Sequence, residues 1–440
     1  MNAPLETIAA MGTPVGTSAL AVVRVSGPQA KPLAQTIVGR ELEPRHATVT
    51  LYKDLIGVGV DEVVLTLFVK PSSYTGEDLL EISSHGNPYI AQRILEDLLA
   101  RGCRLAEPGE FTRQAFLNGR MDLSQAEAVM DLIAARSERA LEAANRQLRG
   151  SISRQMKVLC DTLVQALARV EAYIDFPEED LPDENRAQLS SMVAELRSRT
   201  GRLLATQHYG EVLRGGLRVA IVGEPNAGKS SLLNRLLGRD RAIVSPEPGT
   251  TRDFIEEPLM IGPYLFRLVD TAGLNPSPGA VEQLGMEKTR RWIEEADIIL
   301  LLLDATRPGA GPLELAERGA LVVTNKSDLM PPAASPALPI SALTGDGLET
   351  LRAALVARAD ALQPQMGEDQ VAINARHAHA LRDAEMCLAA AAEKLGAKTD
   401  DSVLLASDLR GALEAFGRIA GRVDHERVLD ELFASFCIGK

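Results

Sequence analysis

The sequence predicts an α/β plus α protein, and three observations lead to that class. Residues 1–118 combine strand-like apolar runs with a helical pattern. Glycine and proline nearly vanish from Asp122 to Phe176, where apolar residues recur at helical spacing, and helical patterns return from Ala375 onward. Between these helical segments, short apolar runs are each followed by a polar loop, which is typical of buried strands in a doubly wound sheet. Those runs are Leu217–Val222, Leu265–Val269, Ile298–Leu303 and Leu321–Thr324.

The first segment predicts several strands and a helix. Ala19–Val25 and Glu62–Val69 are strand-like, and Asp78–Ser84 alternates apolar with polar residues. A helix is predicted from Pro88 to about Ala100, ending at Gly102, because glycine commonly follows the last helical turn. These elements indicate a mixed α/β domain.

Two breakers interrupt the helical residues. The proline- and acid-rich stretch Phe176–Asp183 precedes a helix that resumes to about Gln207, and Gln363–Asp369 reads as a short linker. His377 and His379 are predicted to lie on a helix surface. The α/β residues between the helical segments are therefore expected to form a domain inserted into a helical one, which adjacent domain termini make easy. The predicted division is 1–118, 119–212, 213–365 and 366–440.

Composition and charge limit the possible classes. Of 440 residues, 45% are hydrophobic and 24% are charged, as in globular proteins. The chain has no run of about 18 apolar residues and no signal-peptide pattern, so neither a membrane span nor secretion is predicted. The net charge of −13 argues against a bulk electrostatic surface for nucleic acid. Any RNA contact is expected to use a local patch or the surface of a partner.

The cysteines indicate a reducing compartment. They lie far apart and form no Cys-x-x-Cys pair, so neither a zinc site nor a disulfide framework is predicted, and a cytoplasmic location fits. Cys437 leaves two interpretations open, a reactive thiol or a small apolar residue packed beside Phe433 and Phe436. The four are Cys103, Cys160, Cys387 and Cys437.

A phosphate-binding loop is predicted between Gly223 and Ser231, directly after the strand-like run from Leu217. The pattern Gly-x4-Gly-Lys-Ser lets backbone N–H groups surround an anion at a helix N-terminus. Lys229 can reach the β- and γ-phosphates, and the Ser230 hydroxyl can bind Mg²⁺. The predicted binding residues are Asn226, Ala227, Gly228, Lys229, Ser230 and Ser231.

A second motif predicts guanine as the base. In Asn325-Lys326-Ser327-Asp328, the Asp328 carboxylate can accept from both N–H groups of guanine, which adenine does not offer. Lys326 can cover the base face with its methylene stem. Backbone N–H groups of Ser341-Ala342-Leu343 would support the guanine O6. Without the upstream phosphate loop, Asn-Lys-Ser-Asp would read as an ordinary polar loop.

Two further motifs predict nucleotide-sensing loops between these points. Asp270-Thr271-Ala272-Gly273 ends a strand-like run, so Asp270 would hold Mg²⁺ through water and the Gly273 N–H would contact the γ-phosphate. Gly249-Thr250-Thr251-Arg252-Asp253 could place Thr251 on Mg²⁺ when GTP is bound. Taken alone, this second motif would be an ordinary turn.

The position that commonly orients water is occupied by Leu274, which cannot do so. Glu282 opens a helical pattern after the loop-like stretch Pro276–Ala280 and could orient the attacking water. The alternative from the residues alone is that Glu282 only stabilises a helix start through the helix dipole.

The order of these segments, with the ending Phe436-Cys437-Ile438-Gly439-Lys440, resembles the MnmE (TrmE) family of tRNA modification GTPases over the whole chain. The resemblance implies an N-terminal folate-binding-like α/β domain, a split helical domain and an inserted Ras-like G domain. It also implies a homodimer that joins the FAD-containing protein MnmG (GidA) in a heterotetramer. This complex adds an aminomethyl or carboxymethylaminomethyl group at C5 of the tRNA wobble uridine, with 5-formyl- or methylene-tetrahydrofolate as the one-carbon donor.

Site residues follow from the resemblance. Asn226 is similar to the family's K⁺ ligand, with Ser245, Glu247 and Thr250 as further ligands, and Glu282 to its water-orienting glutamate. The ion would neutralise charge on the phosphates where other GTPases use an arginine, in a pair of facing G domains. The implied loop around the ion and the nucleotide comprises Ser245, Pro246, Glu247, Pro248, Gly249, Thr250 and Thr251.

The resemblance also implies a folate site at Arg24, Glu81, Arg120 and Lys440. If the reactive-thiol interpretation of Cys437 holds, that residue is a catalytic candidate beside it. Arginines suit the folate carboxylates, and Glu81 can accept two bonds from the pterin. From the residues alone, Arg24 and Arg120 would be solvated surface charges. A different class, a regulatory GTP switch for ribosome assembly or stress response, shares the same nucleotide motifs.

Overall fold

Contacts between Cα atoms divide the computed structural model into two units, one of residues 1–130 with 417–440 and one of residues 131–416. Within the described ranges, no helix is both long and apolar enough to cross a membrane. The division into four segments predicted above stays a prediction. The structure describes residues 6–175, 183–240, 256–270, 291–307, 314–330, 337–362, 371–397, 402–421, 436 and 439.

The first unit is built on a six-stranded sheet in the order β3-β4-β5-β2-β1-β6. Strands β1 to β5 pair antiparallel with their neighbours, and the short β6 pairs parallel with β1. The strands are β1 Ile8–Met11, β2 Leu20–Ser26, β3 Thr48–Lys53, β4 Gly59–Phe68, β5 Leu79–His85 and β6 Arg104–Leu105. The predicted strands at Ala19, Glu62 and Asp78 are confirmed as β2, β4 and β5.

Helices of this unit pack by their apolar residues onto the sheet. Leu33 of α1 and Ile94 and Leu98 of α2 are buried in one cluster with Val23 and Ile82 of the strands. The predicted helix from Pro88 to Ala100 is confirmed, and it begins there because Asn87 accepts a hydrogen bond from the Tyr89 N–H. The helices are α1 Ala30–Val38, α2 Pro88–Ala100, α3 Glu110–Leu117 and α4 Leu123–Ala134.

A second six-stranded sheet lies in residues 131–416, in the order β12-β11-β10-β7-β9-β8. All neighbouring strands are parallel except β8, which pairs antiparallel with β9. The predicted buried strand Ile298–Leu303 is confirmed as β10, which lies between β7 and β11. The strands are β7 Leu217–Gly223, β8 Glu256–Ile261, β9 Tyr264–Asp270, β10 Ile298–Asp304, β11 Leu321–Asn325 and β12 Leu338–Pro339.

Long helices precede and follow this sheet in the chain, as the helical spacing predicts. The predicted breaker after Phe176 and the linker from Gln363 lie outside the described residues. The remaining described helices include shorter ones that lie between the strands in the chain. They are α5 Glu138–Leu148, α6 Ser151–Asp175, α7 Asp183–Leu204, α8 Gln207–Gly215, α9 Lys229–Asp240, α10 Glu314–Glu317, α11 Leu348–Ala361, α12 Ala375–Gly396 and α13 Ser402–Ala420.

The prediction of an exposed His377 is wrong, whereas that of an exposed His379 is confirmed. His377 is fully buried, while the His379 side chain is 76% exposed. The reason is local: Asn374 begins α12 and accepts from the His377 N–H at 2.8 Å, while the His377 ring accepts from the Asn374 N–H at 3.4 Å. A histidine in this third helical position turns its ring back to the helix start.

Candidate functional site

The predicted phosphate loop joins the carboxyl end of β7 to the start of α9, which begins at Lys229. Asn226 and Gly228 both have positive φ angles, +67° and +95°. A Cβ on Gly228 would lie 2.2 Å from Asn325 Nδ2, and one on Gly223 would lie 2.3 Å from the Leu302 carbonyl oxygen. The loop therefore requires glycine at both positions.

Lys229 is buried at the base of this loop. Its Nζ donates to the carbonyl oxygens of Gly223 at 2.7 Å and Glu224 at 2.9 Å. These bonds fix the ammonium against the backbone of the loop that is predicted to bind the phosphates. Ser230 and Ser231 follow in the exposed first turn of α9, where the helix dipole favours negative charge.

Asn325, the last residue of β11, ties the nucleotide loops together. Its side chain is buried, with Nδ2 donating to the Ala227 carbonyl at 2.8 Å and Oδ1 accepting from the Ala342 N–H at 2.9 Å. One amide thus bonds the phosphate loop on one side and the Ser341-Ala342-Leu343 loop on the other. Three separate sequence motifs meet at this residue.

Lys326 is fixed by an acid that the sequence motifs do not include. Its φ angle is +66°, and Nζ donates to Asp304 Oδ2 at 2.6 Å. Burial raises the pKa of Asp304, but the bonds from Lys326 and Thr306 outweigh it and lower that pKa to about 2. Asp304 pairs in register with Asn325 across β10 and β11. The signal that could have revealed it is an acid ending the strand beside the guanine motif.

Some of the groups that are predicted to bind guanine already form hydrogen bonds within the protein. Asp328 is exposed, in a position free for a ligand to approach. Among the backbone groups predicted to face O6, the Ser341 N–H donates to the Asp346 carbonyl at 2.9 Å, and the Ala342 N–H donates to Asn325. Leu343 is exposed beside them. Contact of this loop with guanine therefore stays a prediction.

Asp270 is placed by the sheet: it ends β9 and pairs in register with Ile221 of β7, one strand from the phosphate loop. Apart from Asn226 and Ser230 on the phosphate loop, the other residues predicted to bind Mg²⁺, K⁺ or the nucleotide's phosphates, or to orient water, lie outside the described residues. They are Ser245, Pro246, Glu247, Pro248, Gly249, Thr250, Thr251, Thr271, Ala272, Gly273 and Glu282.

A second polar cluster lies on the first sheet. Arg24 of β2 and Glu81 of β5 are directly cross-strand, and Nε and Nη2 of the arginine both lie 2.9 Å from Glu81 Oε1. The guanidinium also stands 5.9 Å from the centre of the Tyr74 ring. Both charged side chains are partly buried, at 21% and 28% exposure. The predicted folate residues Arg24 and Glu81 are thus together.

Two described residues near the C-terminus, Phe436 and Gly439, contact other residues of this same unit. Phe436 is buried against Leu123 and Ala126, and the Gly439 carbonyl accepts from Arg24 Nη1 at 3.4 Å. Gly439 has a φ angle of +91°, and a Cβ there would lie 1.9 Å from the Met11 carbonyl oxygen. Cys437 and Lys440 lie outside the described residues, and Arg120 is exposed.

Three features define the class of P-loop nucleotide-binding proteins. They are the doubly wound sheet, the phosphate loop that requires two glycines, and the bonds of Asn325 to two loops. Residues 7–120 match the family described as GTP-binding protein TrmE N-terminus, and residues 123–437 match the MnmE helical domain. The chain belongs to the MnmE/TrmE family.

Close relatives of full length share this assignment. The tRNA modification GTPase MnmE of Opitutus terrae is 55% identical over 99% of this chain and 100% of its own length. The proteins of the same name from Akkermansia muciniphila and Aquifex aeolicus are 44% and 41% identical, with at least 99% of both chains covered in each case.

Proposed function

We propose that this protein is a GTP-hydrolysing enzyme that acts in the modification of the tRNA wobble uridine. The observation that carries the GTP part is the Asn325 amide, which bonds the phosphate loop to the guanine loops. The tRNA part is supported by membership of the MnmE/TrmE family. The polar cluster around Arg24 supports a second, separate ligand.

At the nucleotide, this chain's own groups bind and orient the phosphates. The N–H groups of the loop and of the first turn of α9 would surround the anion, and Lys229 adds a fixed cation. Asp328 accepts from guanine, while Lys326, held by Asp304, covers the base. Preorganised donors of this kind stabilise charge without reorganisation during the reaction.

The loop also fits the two cations that the family resemblance implies. Hard oxygen ligands are the type that Mg²⁺ prefers. Ser230 in the first turn of α9 and Asp270 at the end of β9 would supply them, and Thr251 would complete that set. Asn226, Ser245, Glu247 and Thr250 would hold K⁺, and Asn226 is exposed on the loop as that role needs. The cations supply neutralisation of phosphate charge when bound, and Glu282 would orient the attacking water.

The one-carbon chemistry is proposed to take place on the first unit. A tetrahydrofolate, formyl- or methylene-substituted, would bind at Arg24, Glu81, Arg120 and Lys440, with Cys437 close by. Because Arg24 and Glu81 pair with each other, the ligand must bind to the ion pair or open it. The working assembly is proposed to be a homodimer in the cytoplasm with the FAD-containing protein MnmG.

Base specificity provides the experimental test of the GTP part. In Asp328→Asn, the amide NH₂ opposes the guanine N–H groups, so GTP affinity should fall strongly and xanthine nucleotides should bind better than guanine nucleotides. Competition binding measures both. An unchanged preference for GTP would refute the assignment of the guanine loop.

Mass spectrometry of wobble uridines tests the tRNA part. A strain deleted for this gene should lack the C5 modification, and the intact gene should restore it. Normal modification in the deletion strain would instead favour a regulatory GTP switch in ribosome assembly or stress response.

A further inference from the structure

One stretch of the helical residues has an unusual charge pattern for this acidic chain. The sequence contains 60 acidic residues and a net charge of −13, yet residues 143–160 contain four cations and no acid. The run spans the end of α5, the turn at Gly150 and the start of α6. We name the four side chains the basic ridge: Arg146, Arg149, Arg154 and Lys157.

The four cations of the basic ridge are spaced along the end of α5 and the start of α6. Arg146 and Arg149 are three residues apart at the end of α5, and Arg154 and Lys157 are three apart on α6, a spacing that puts side chains on one helix face. Arg154 Nη1 donates to the Arg149 carbonyl at 2.7 Å, which joins the two pairs across the turn. Arg149, Arg154 and Lys157 are exposed.

Only one of the four cations, Arg146, has an ion pair with a carboxylate within the described ranges. Within the described ranges, Arg149, Arg154 and Lys157 make no ion pair, and Arg146 reaches Glu142 only at 3.7 Å. Arginines of the next helix behave differently: Arg197 pairs with Glu385 at 2.8 Å and Arg199 with Glu195 at 2.5 Å. Like charges held side by side without partners repel, and a polyanion relieves that repulsion.

We propose that the basic ridge binds the phosphate backbone of tRNA, an inference that rests on the proposed action on tRNA and adds the contact surface. Arginine forks match phosphate oxygens, and the side-chain amides of Asn145 and Gln155 lie beside them in the chain as further donors. Residues 143–160 contain no aromatic side chain on which a base could stack. The ridge therefore reads phosphates and not sequence.

The surroundings favour RNA over a membrane. Of the larger apolar residues in this part of α6, Ile152, Met156 and Leu159 are buried in the protein, and Val158 alone is exposed, at 46%. A helix that enters a lipid interface needs a broad exposed apolar face beside its cations. The ridge lacks that face, so attraction to a polyanion is the interaction its chemistry supports.

The test is a triple variant of the full-length protein, Arg149→Gln with Arg154→Gln and Lys157→Gln. Its affinity for unmodified tRNA, measured by fluorescence anisotropy at several salt concentrations, should fall about tenfold or more, and the slope of log affinity against log salt should decrease by about two to three. GTP hydrolysis and the thermal unfolding midpoint should stay close to those of the unchanged protein.

The matched control removes three arginines from α7: Arg197→Gln with Arg199→Gln and Arg202→Gln. It changes the net charge equally but removes arginines that already have partners within the protein. Its tRNA affinity should stay within about twofold, with little change in salt slope. The single variant Lys157→Glu, at an exposed helical position, gives a second measurement if the triple variant folds poorly, and it should also weaken tRNA binding.

Three results would overturn the basic ridge as an RNA surface. One is equal loss of tRNA binding in the ridge and control variants, and another is no loss in either. The third is normal tRNA binding together with lost binding to phosphatidylserine vesicles, which would assign the ridge to a membrane. Failure of the proposed function is separate, because it would show as normal wobble uridines in the deletion strain whatever the ridge binds.

Discussion

The two ligand regions of this molecule are prepared in different ways. In the nucleotide region, backbone geometry and the single amide of Asn325 hold the loops before any ligand arrives. In the cluster on the first sheet, the two charges that are proposed to bind a ligand pair with each other, because Arg24 and Glu81 form an ion pair. The loops of the first region are held by bonds within the protein, whereas the second region must exchange an internal partner for its proposed ligand.

The largest expected effect comes from a substitution in the phosphate loop. Gly228→Ala places a Cβ 2.2 Å from Asn325 Nδ2 at a φ angle of +95°, so the loop and its amide bridge must both shift. GTP affinity should fall by about 100-fold, which is about 2.8 kcal/mol. Titration of the protein with a fluorescent GTP analogue measures it.

Gly238→Ala is the matched control on α9. Its Cβ would meet nothing within 4 Å, and alanine suits a helix better than glycine. GTP affinity in this variant should be unchanged. If both variants lose affinity equally, the loop geometry is not what binds the nucleotide.

A similar substitution tests the cluster on the first sheet. Gly439→Ala places a Cβ 1.9 Å from the Met11 carbonyl, so residue 439 must leave its position beside Arg24. Wobble-uridine modification, measured by mass spectrometry, should be lost while GTP hydrolysis remains nearly intact. Gly396→Ala, whose Cβ would lie in open space at the end of α12, should keep both activities. Full modification of the wobble uridine by Gly439→Ala would show that the position of Gly439 beside Arg24 has no role in this reaction.

The proposed K⁺ site gives the next effect. Replacing K⁺ by Na⁺ at equal ionic strength should slow GTP hydrolysis by about tenfold or more, because charge on the phosphates is then less well neutralised. Asn226→Ala should remove the difference between the two salts while nucleotide binding remains. Equal rates of the unchanged protein in both salts would reject the K⁺ site.

The smallest effect concerns the acid that holds Lys326. Asp304→Asn should destabilise the fold by about 1–2 kcal/mol at neutral pH, since the carboxylate is only 11% exposed. The pKa of Asp304 is lowered from 3.8 to about 2, so its stabilisation is present above pH 4 and is lost as the pH falls from 4 to 2. Denaturant unfolding at neutral pH and at pH 3 measures the difference.

Glu349→Gln is the control for this ion pair. It also removes one negative charge, but Glu349 is 83% exposed and lies 3.9 Å from its partner Arg352. Its effect should be below about 0.5 kcal/mol. Equal losses in both variants would mean that net charge, and not the bond to Lys326, sets the stability.

Features of the fold that depend on neighbouring residues in the chain could be predicted from the sequence. The strands around the nucleotide loops, the phosphate loop itself and the helix from Pro88 follow from apolar periodicity and glycine positions. The pattern around His377 was misread because its ring bonds back to the helix start, a contact that depends on the side chain of Asn374.

Contacts set by strand register could not be predicted in the same way. Asp304 and Lys326 are 22 residues apart, and Arg24 and Glu81 are 57 apart. Each pair meets only because particular strands become neighbours in a sheet, which the residues themselves do not encode locally. The sequence predicted that Arg24 and Glu81 would each contact the folate, whereas the structure shows that they pair with each other.

Binding of both ligands to both glycine variants tests the contrast between the regions most directly. Calorimetry with a GTP analogue and with a reduced folate should show a crossed pattern. Gly228→Ala should lose the nucleotide and keep the folate, while Gly439→Ala should keep the nucleotide within about twofold and lose folate affinity about tenfold. Loss of both ligands in either variant, or no folate binding by the unchanged protein, would contradict two separately prepared sites.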